Sequence, residues 1–200
     1  MLSAVLIREG QPPHVCDMPA LQHKKTRAEI RAQTWKCKFC GQPMEPRLGL
    51  RRSGYFAHAR HSSACPAKAE CEPETEEHRQ LKRASGVALR RHLGDQFASL
   101  EYEVRVPQAG RIADALLVMQ DGTRIAVEAQ VSPISLDELE RRTEAYLRAE
   151  HEVVWVFTES RLHSGNWAEL RDHLLNQGHV VLTAQVTIQE TAIQLGEGGA

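Results

Sequence analysis

Between Arg111 and Gln130 the chain reads Arg-Ile-Ala-Asp-Ala-Leu-Leu-Val-Met-Gln-Asp-Gly-Thr-Arg-Ile-Ala-Val-Glu-Ala-Gln. Two apolar runs are joined by a turn signal and interrupted by Asp114, Glu128 and Gln130. Side chains alternate between the faces of a strand, so the register of the turn decides whether these three can meet. A two-residue turn at Asp121-Gly122 pairs Asp114 with Ala129 and sends the carboxylates to opposite faces. A three-residue loop, Gln120-Asp121-Gly122, puts Gly122 at the left-handed position of a bulged hairpin and sets Asp114 opposite Glu128, with the ladder closing at Met119 and Thr123. Both are compatible with the sequence, and the apolar pattern favours the second. It gathers Ala113, Ala115, Leu117 and Met119 on one face with Ile125, Val127, Ala129 and Val131. Asp114, Glu128 and Gln130 then share one end of the other face.

The same reading along the rest of the chain predicts alternating helices and strands. A helix begins near Glu72-Pro73-Glu74, where proline and acids suit a first turn, and stops near Gly94. A strand near 100–106 precedes the hairpin. Leu136, Leu139, Tyr146 and Leu147 form the buried stripe of an amphipathic helix over about 135–149, on which Arg142 and Tyr146 share a face. A buried strand at 153–157, a helix near 167–176 and a strand at 180–184 complete a mixed α/β sheet with helices on its faces. Residues 191–200 read as a frayed tail. Residues 1–34 are less informative, with an alternating segment from Ser3, a turn at Gly10 to Pro13 and a basic stretch holding Lys24, Lys25, Arg27 and Arg31.

With 200 residues, 42% hydrophobic and 26% charged, the chain can bury a real core, which excludes a disordered protein and leaves room for one ordinary domain and a small one. The expected division is an N-terminal region over 1–71, a larger domain over 72–190, and the tail. The net charge of -1 hides an asymmetry: residues 1–71 hold 12 Lys+Arg against 5 Asp+Glu, and residues 72–200 hold 13 against 21. A basic front suits a polyanion and an acidic back can concentrate cations. No apolar run approaches the roughly 20 residues of a membrane span, and the N-terminus lacks a signal-peptide pattern. The reading is a cytoplasmic protein with no membrane partner.

Five cysteines, four of them within residues 37–71, look like metal chemistry more than a disulfide framework. Cys37-Lys-Phe-Cys40-Gly is a CxxC knuckle, followed after a spacer able to form a hairpin by His58, His61 and Cys65. Zn²⁺ takes four such ligands tetrahedrally, and Cys37, Cys40, His58 and Cys65 are assigned, with His61 and Cys71 as substitutes for the third or fourth. A redox CxxC would sit between a strand and a helix, and Gly41-Gln42-Pro43 starts no helix. Cys16 stands alone and reads as a buried apolar residue. In the spacer, Arg47, Arg51, Arg52 and Arg60 interleave with Tyr55 and Phe56, a composition suited to phosphate contact; Phe56 itself reads as packing on the metal site. Glu74 and His78, four apart, share a helix face with Lys82 one turn on.

Two converging carboxylates make a hard-oxygen site for a divalent ion such as Mg²⁺. The alternative is that Asp114 and Glu128 are solvated residues on an exposed sheet face. Taken together, Arg111-Ile-Ala-Asp114, Ile125-Ala-Val-Glu128-Ala-Gln130-Val-Ser132, Arg142-Thr-Glu-Ala-Tyr146 and Val154-Trp155 resemble the competence protein CoiA-like family. They are preceded by a CxxC…His…Cys finger and Glu74-x-x-x-His78, and the likeness runs from about residue 35 to about 160. It implies a restriction-endonuclease-like fold of the PD-(D/E)xK type with a small zinc-ribbon-like domain in front. Carried over, Asp114 and Glu128 hold Mg²⁺ (or Mn²⁺), Gln130 takes the lysine position, and Glu74 with His78 completes the pocket. Glutamine can orient a water but brings no positive charge, so that charge comes from elsewhere, with Lys82 and Arg142 as candidates, or is absent. Both are also candidates for contact with nucleic acid.

The implied function is metal-dependent cleavage or processing of DNA, single-stranded or branched, in uptake and recombination alongside recombination proteins. The alternative is a non-catalytic DNA-binding accessory protein with a degenerate nuclease fold. A third reading makes the zinc region a protein-docking module.

Overall fold

The computed structural model describes residues 1–49, 54–59, 65, 75–158, 167–186 and 191–195. The chain divides into two compact units, Met1–Arg79 and Gln80–Ala200.

The first unit is a five-stranded antiparallel sheet of β1 (Ser3–Ile7), β2 (His14–Asp17), β3 (Thr34–Lys36), β4 (Pro43–Arg47) and β5 (Tyr55–His58), in the order β2-β1-β3-β4-β5. Residues 1–34 therefore belong to the same sheet as the CxxC segment. They contribute β1, β2 and two short helices, α1 (Met18–Lys24) and α2 (Arg27–Arg31). Strands and helices this short carry too few periods for the sequence pattern to announce them. Thr26 starts α2 with a capping box, its hydroxyl accepting from the Glu29 N–H while Glu29 accepts from the Thr26 N–H. Leu2, Ala4, Met18, Ile30, Trp35, Met44 and Phe56 form the core. Phe56 lies against Trp35, ring centroids 4.8 Å apart, and the indole N–H of Trp35 donates to the Ile30 carbonyl.

The second unit is built on a six-stranded sheet ordered β11-β10-β9-β8-β7-β6. Its strands are β6 (Phe97–Val106), β7 (Arg111–Met119), β8 (Arg124–Gln130), β9 (Glu152–Thr158), β10 (Val180–Val186) and β11 (Thr191–Leu195). The first three form an antiparallel meander, whereas β8, β9 and β10 run parallel. Parallel neighbours need crossovers, supplied by α4 (Leu136–Arg148) and α5 (Trp167–Asn176). α3 (Glu76–Leu93) leads into β6. These are the mixed sheet and flanking helices that the pattern predicts. The expected tail differs: 191–195 pairs antiparallel with β10 as an added strand, because β10 would otherwise offer an open edge to pair with.

β8 and β9 are buried along nearly their whole length. One core gathers Leu139 and Tyr146 of α4, Trp155 and Phe157 of β9, and Trp167, Leu170 and Leu174 of α5. Trp155 donates to the Thr143 hydroxyl at 3.0 Å, so α4 lies across the sheet with Leu139, Thr143 and Tyr146 turned inward. Among the described residues no helix is long and apolar enough to cross a membrane.

Candidate functional site

In the first unit, β3 delivers the chain to the CxxC turn. The Gly41 N–H donates to the Cys37 carbonyl and the Cys37 N–H to the Gln42 carbonyl, both at 2.9 Å. Gly41 takes φ +70°, a left-handed conformation glycine adopts without strain. The β4–β5 register sets His58 opposite Met44 and returns the imidazole to the knuckle. The ligand atoms of Cys37, Cys40, His58 and Cys65 all lie within 4.8 Å of one another. Cys37 Sγ is 3.9 Å from Cys65 Sγ, and Cys40 Sγ is 3.3 Å from His58 Nε2. Tetrahedral zinc with Zn–S near 2.3 Å demands sulfur–sulfur edges of about 3.8 Å. The cluster can bind a metal such as zinc, and its donor set is the one that ion prefers. Burial pushes the Cys37 thiol up to about 12. At Cys40 burial also works against ionisation, but hydrogen bonds from the Gln42 backbone and the neighbouring thiols outweigh it and the thiol is lowered. His61 and Cys71, the substitute ligands, lie outside the described residues, as do Arg51, Arg52 and Arg60. Arg47 is described, and it pairs on the surface with Glu45 at 2.6 Å.

In the second unit the hairpin takes the three-residue loop. Leu117 pairs with Ile125 and Ala115 with Val127, a register that sets Asp114 opposite Glu128. Gly122 has φ +91°, and the Met119 N–H closes the ladder on the Thr123 carbonyl at 2.8 Å. Asp114 is partly buried, and its Oδ2 accepts from the Ala129 N–H at 2.9 Å. Glu128 is buried; its Oε1 accepts from the Tyr146 hydroxyl at 2.5 Å. Burial pushes the Glu128 carboxyl up to about 7 and the charge of Asp114 adds to the rise, against the Tyr146 hydrogen bond and the Arg142 charge. The Tyr146 hydroxyl is itself raised, by burial first and then by Glu128.

Each acid has a cation beside it. Lys82 Nζ on α3 lies 3.6 Å from Asp114 Oδ1, and Arg142 Nη1 on α4 lies 3.6 Å from Glu128 Oε2. Lys82 is only 4% exposed, so its charge acts inside the cluster and not on an open surface. Arg142 is more tightly held by Glu138, Nε to Oε1 at 2.7 Å, and Glu138 also receives Arg111 at 3.1 Å and Arg141. Burial would raise the Glu138 carboxyl, yet the bonds from Arg142 and Arg141 hold it down at about 2.

Gln130 shares the strand face of Glu128, but its amide nitrogen donates to the Ser132 carbonyl at 2.8 Å and the Ser132 hydroxyl at 3.0 Å. His78 is buried on α3 and falls in the first unit, its backbone N–H bonded to the Thr75 hydroxyl. Glu74 lies outside the described residues.

Two participants escaped the sequence reading. Tyr146 passed as part of the apolar stripe of α4, and nothing local marks its hydroxyl as the partner of Glu128. Glu103 sits in Glu101-Tyr-Glu-Val-Arg105, where alternation suggests a solvated face. It is instead 4% exposed, paired with Lys82 at 3.1 Å, and held at φ +56° in the middle of β6. A non-glycine residue in that region costs on the order of 1–3 kcal/mol, and no sequence pattern announces it.

The family described as competence protein CoiA, nuclease-like domain, matches residues 74–185, more than half of the chain. A curated relative, the competence protein CoiA of Bacillus subtilis (strain 168), is 27% identical over 134 residues, 67% of this chain and 34% of that protein. The chain thus matches about a third of that relative's length. A solved structure of Pyrococcus furiosus SfsA in complex with Ca²⁺ aligns over 96% of this chain and 93% of its own. Its identity is 10% and its TM-score 0.38, too loose a likeness to carry any argument about the site.

Proposed function

The chain belongs to the family of the competence protein CoiA nuclease-like domain, and on that premise we propose that its second unit is a metal-dependent DNA nuclease. The first unit would be a zinc-held module adding contacts to the DNA backbone. One observation carries the proposal: the hairpin register puts Asp114 and Glu128 opposite one another on adjacent strands, with a buried or half-buried cation beside each.

Asp114 and Glu128 are the pair that would hold Mg²⁺ or Mn²⁺, since Mg²⁺ is commonly bound through one or two carboxylates with the rest of its shell left to water and phosphate. When bound, such an ion polarises a phosphoryl oxygen and acidifies an attacking water. The rise of the Glu128 carboxyl reflects burial and like charge that a cation would relieve. Lys82 and Arg142, beside Asp114 and Glu128, would supply the positive charge that the Gln130 position lacks. Tyr146 fixes the Glu128 carboxylate in place. Gln130, spending both amide hydrogens on Ser132, would hold the end of β8 and present only its carbonyl oxygen to a water.

Phosphate contacts from Arg47, Arg51, Arg52 and Arg60 would give the first unit a salt-dependent, sequence-neutral affinity. A flatter dependence of affinity on salt is expected when the last three become alanine. An unchanged slope moves the contact surface elsewhere.

A second reading, a DNA-binding accessory protein without cleavage, is favoured by the same cations, since each acid is already compensated within the protein. Incubation with Mg²⁺ or Mn²⁺ and single-stranded, duplex or branched DNA separates the two. Nicking that disappears in Asp114→Asn and in Glu128→Gln, with binding retained, supports the nuclease. Binding with no metal-dependent nicking on any substrate supports the accessory protein.

A further inference from the structure

We infer that Glu103 is a positioning residue of the acid cluster, holding the Lys82 ammonium at the flank of Asp114 so that a lysine on α3 serves where β8 carries Gln130. The inference rests on Asp114 and Glu128 being the metal-holding pair.

The register across three strands sets the frame. Tyr102 pairs with Ala115 and Val104 with Ala113, so Glu103 stands opposite Asp114, which stands opposite Glu128. Three acids occupy one rung. Lys82 Nζ lies 3.1 Å from Glu103 Oε1 and 3.6 Å from Asp114 Oδ1, so the nearer carboxylate is the one further from Glu128. An ammonium has three N–H donors and no acceptor. With one committed to Glu103, the Asp114 contact is the looser of the two and the first to yield to another cation. The other oxygen of Asp114 is taken by the Ala129 N–H, which leaves Oδ1 as the side the lysine can approach.

Stability does not explain this pair. A buried ion pair is often no better than well-packed apolar residues of the same volume, and this one comes with a left-handed backbone at Glu103. A conformation that L-residues rarely adopt persists where the surroundings over-determine it, and such residues cluster at functional sites. The helix is adapted to the same end. One turn beyond Lys82, a Cβ on Gly86 would meet Tyr102 Oη at 2.7 Å and Leu100 Cδ2 at 2.9 Å, so any larger residue there would have to displace those side chains of β6. A strained strand residue and a buried lysine thus meet beside Asp114. Among the described residues, the one grouping of three or more His, Cys, Asp or Glu able to hold a metal is Cys37, Cys40, His58 and Cys65, which keeps Glu103 out of the role of a third ligand.

Two measurements on the full chain test the inference. In ¹⁵N-detected spectra of lysine ammonium groups, Lys82 should give a slowly exchanging signal in the wild type and in Asp114→Asn. In Glu103→Gln its exchange should accelerate about tenfold or more, because the amide keeps the shape and loses the charge. A signal that survives Glu103→Gln, or that is lost in Asp114→Asn instead, overturns the inference. The second measurement is Mn²⁺ affinity. Glu103→Gln should weaken it about fivefold or more, since a released ammonium moves onto Asp114 and competes, and adding Lys82→Met should restore it. Unchanged Mn²⁺ affinity in Glu103→Gln overturns the inference while the metal reading stands. Absence of Mn²⁺ binding in the wild type overturns the metal reading, and the ammonium spectra then still decide what holds Lys82. If Glu103→Gln does not fold, Glu103→Asp retracts the charge by one methylene and is expected to move both readouts in the same direction by less.

Discussion

In the Cys/His cluster, Cys37, Cys40 and His58 come from one short stretch of chain between β3 and the end of β5, and the four donor atoms all lie within 4.8 Å of one another. In the acid cluster, Lys82, Glu103, Asp114, Glu128 and Arg142 come from five elements spread over sixty residues, and every acid has a basic group within ion-pair distance. The first arrangement can bind a metal such as zinc, and thiols packed this closely are either protonated or bound. The second already sets two cations against three acids, so a metal arriving there must displace or share with charges already in place. The difference sets a cluster that can take a metal such as zinc against one whose acids already have cations beside them.

The largest effect expected from that contrast is on removal of metal. A strong chelator should release zinc and collapse amide protection over β3, β4 and β5, because metal-binding energy in such a site is also folding energy. Protection in β8 and β9 should persist. Cys37→Ser should do the same permanently, whereas Cys16→Ser, away from the cluster, should shift stability by no more than about 1 kcal/mol. Folded protein without chelator that contains no zinc by elemental analysis would remove the ligand assignment.

Next in size is pH. The Glu128 carboxyl lies at about 7 in the folded protein against its ordinary 4.5. A folded value above the unfolded one means that the folded state binds the proton more tightly. Its contribution is therefore complete below about pH 4.5 and is lost as pH rises through about 7. The second unit should lose stability across that window, on the order of 3 kcal/mol for a shift of this size, and Glu128→Gln should flatten the slope. The zinc-loaded first unit should slope the other way, since protons compete for its thiolates and metal is lost as pH falls. Parallel slopes in the two units, followed by residue-resolved hydrogen exchange, would break the comparison.

The same contrast explains what could be read from the chain. The ligand set was legible because its spacing is local, and the knuckle glycine and the hairpin that returns His58 are written into a single stretch. The hairpin register was legible for a similar reason: the apolar alternation on both sides of Gly122 favours the three-residue loop, which the structure adopts. The helices and the strands up to β10 of the second unit followed from periodicity, and the buried strand at β9 from its unbroken apolar run, whereas β11 was expected as a frayed tail. What stayed hidden depends on long-range packing. Glu103 looks solvated by alternation, and Tyr146 looks like core. Lys82 and Arg142 could be named as sources of charge, but their partners are set by how α3 and α4 lie against the sheet. The opening 34 residues were underread because strands of four or five residues join a sheet through partners distant in sequence.

Gln130→Lys adds a third base to the cluster of Lys82 and Arg142. The new ammonium can keep the bonds to Ser132, being a donor, so the fold should survive with a loss of about 1–2 kcal/mol for burying an unmatched charge. If position 130 serves the same pocket as Asp114 and Glu128, metal-dependent cleavage should be preserved or raised. Its abolition in a folded variant would show that the Gln130 carbonyl oxygen makes a bond that an ammonium, with no acceptor, cannot replace.

The smallest effect tests how far the acid cluster leans on structure outside it. α4 ends in a Schellman arrangement in which the His151 N–H donates to the Tyr146 carbonyl and the Glu150 N–H to the Leu147 carbonyl. The residue at the left-handed position is Glu150, at φ +59°, where glycine is usual. The strained backbone thus closes the turn that carries Tyr146, whose hydroxyl fixes Glu128. Glu150→Gly removes the strain and should stabilise the second unit by about 1 kcal/mol. Because the Tyr146 carbonyl is bonded through backbone alone, the substitution should leave Mn²⁺ affinity and the pH slope of Glu128 unchanged. Stabilisation with altered metal affinity would mean that the end of α4 is coupled to the acids through more than Tyr146. Destabilisation would mean that the Glu150 side chain, which shares the rim of a cleft with Arg124 and Glu152, contributes more than its backbone strain removes.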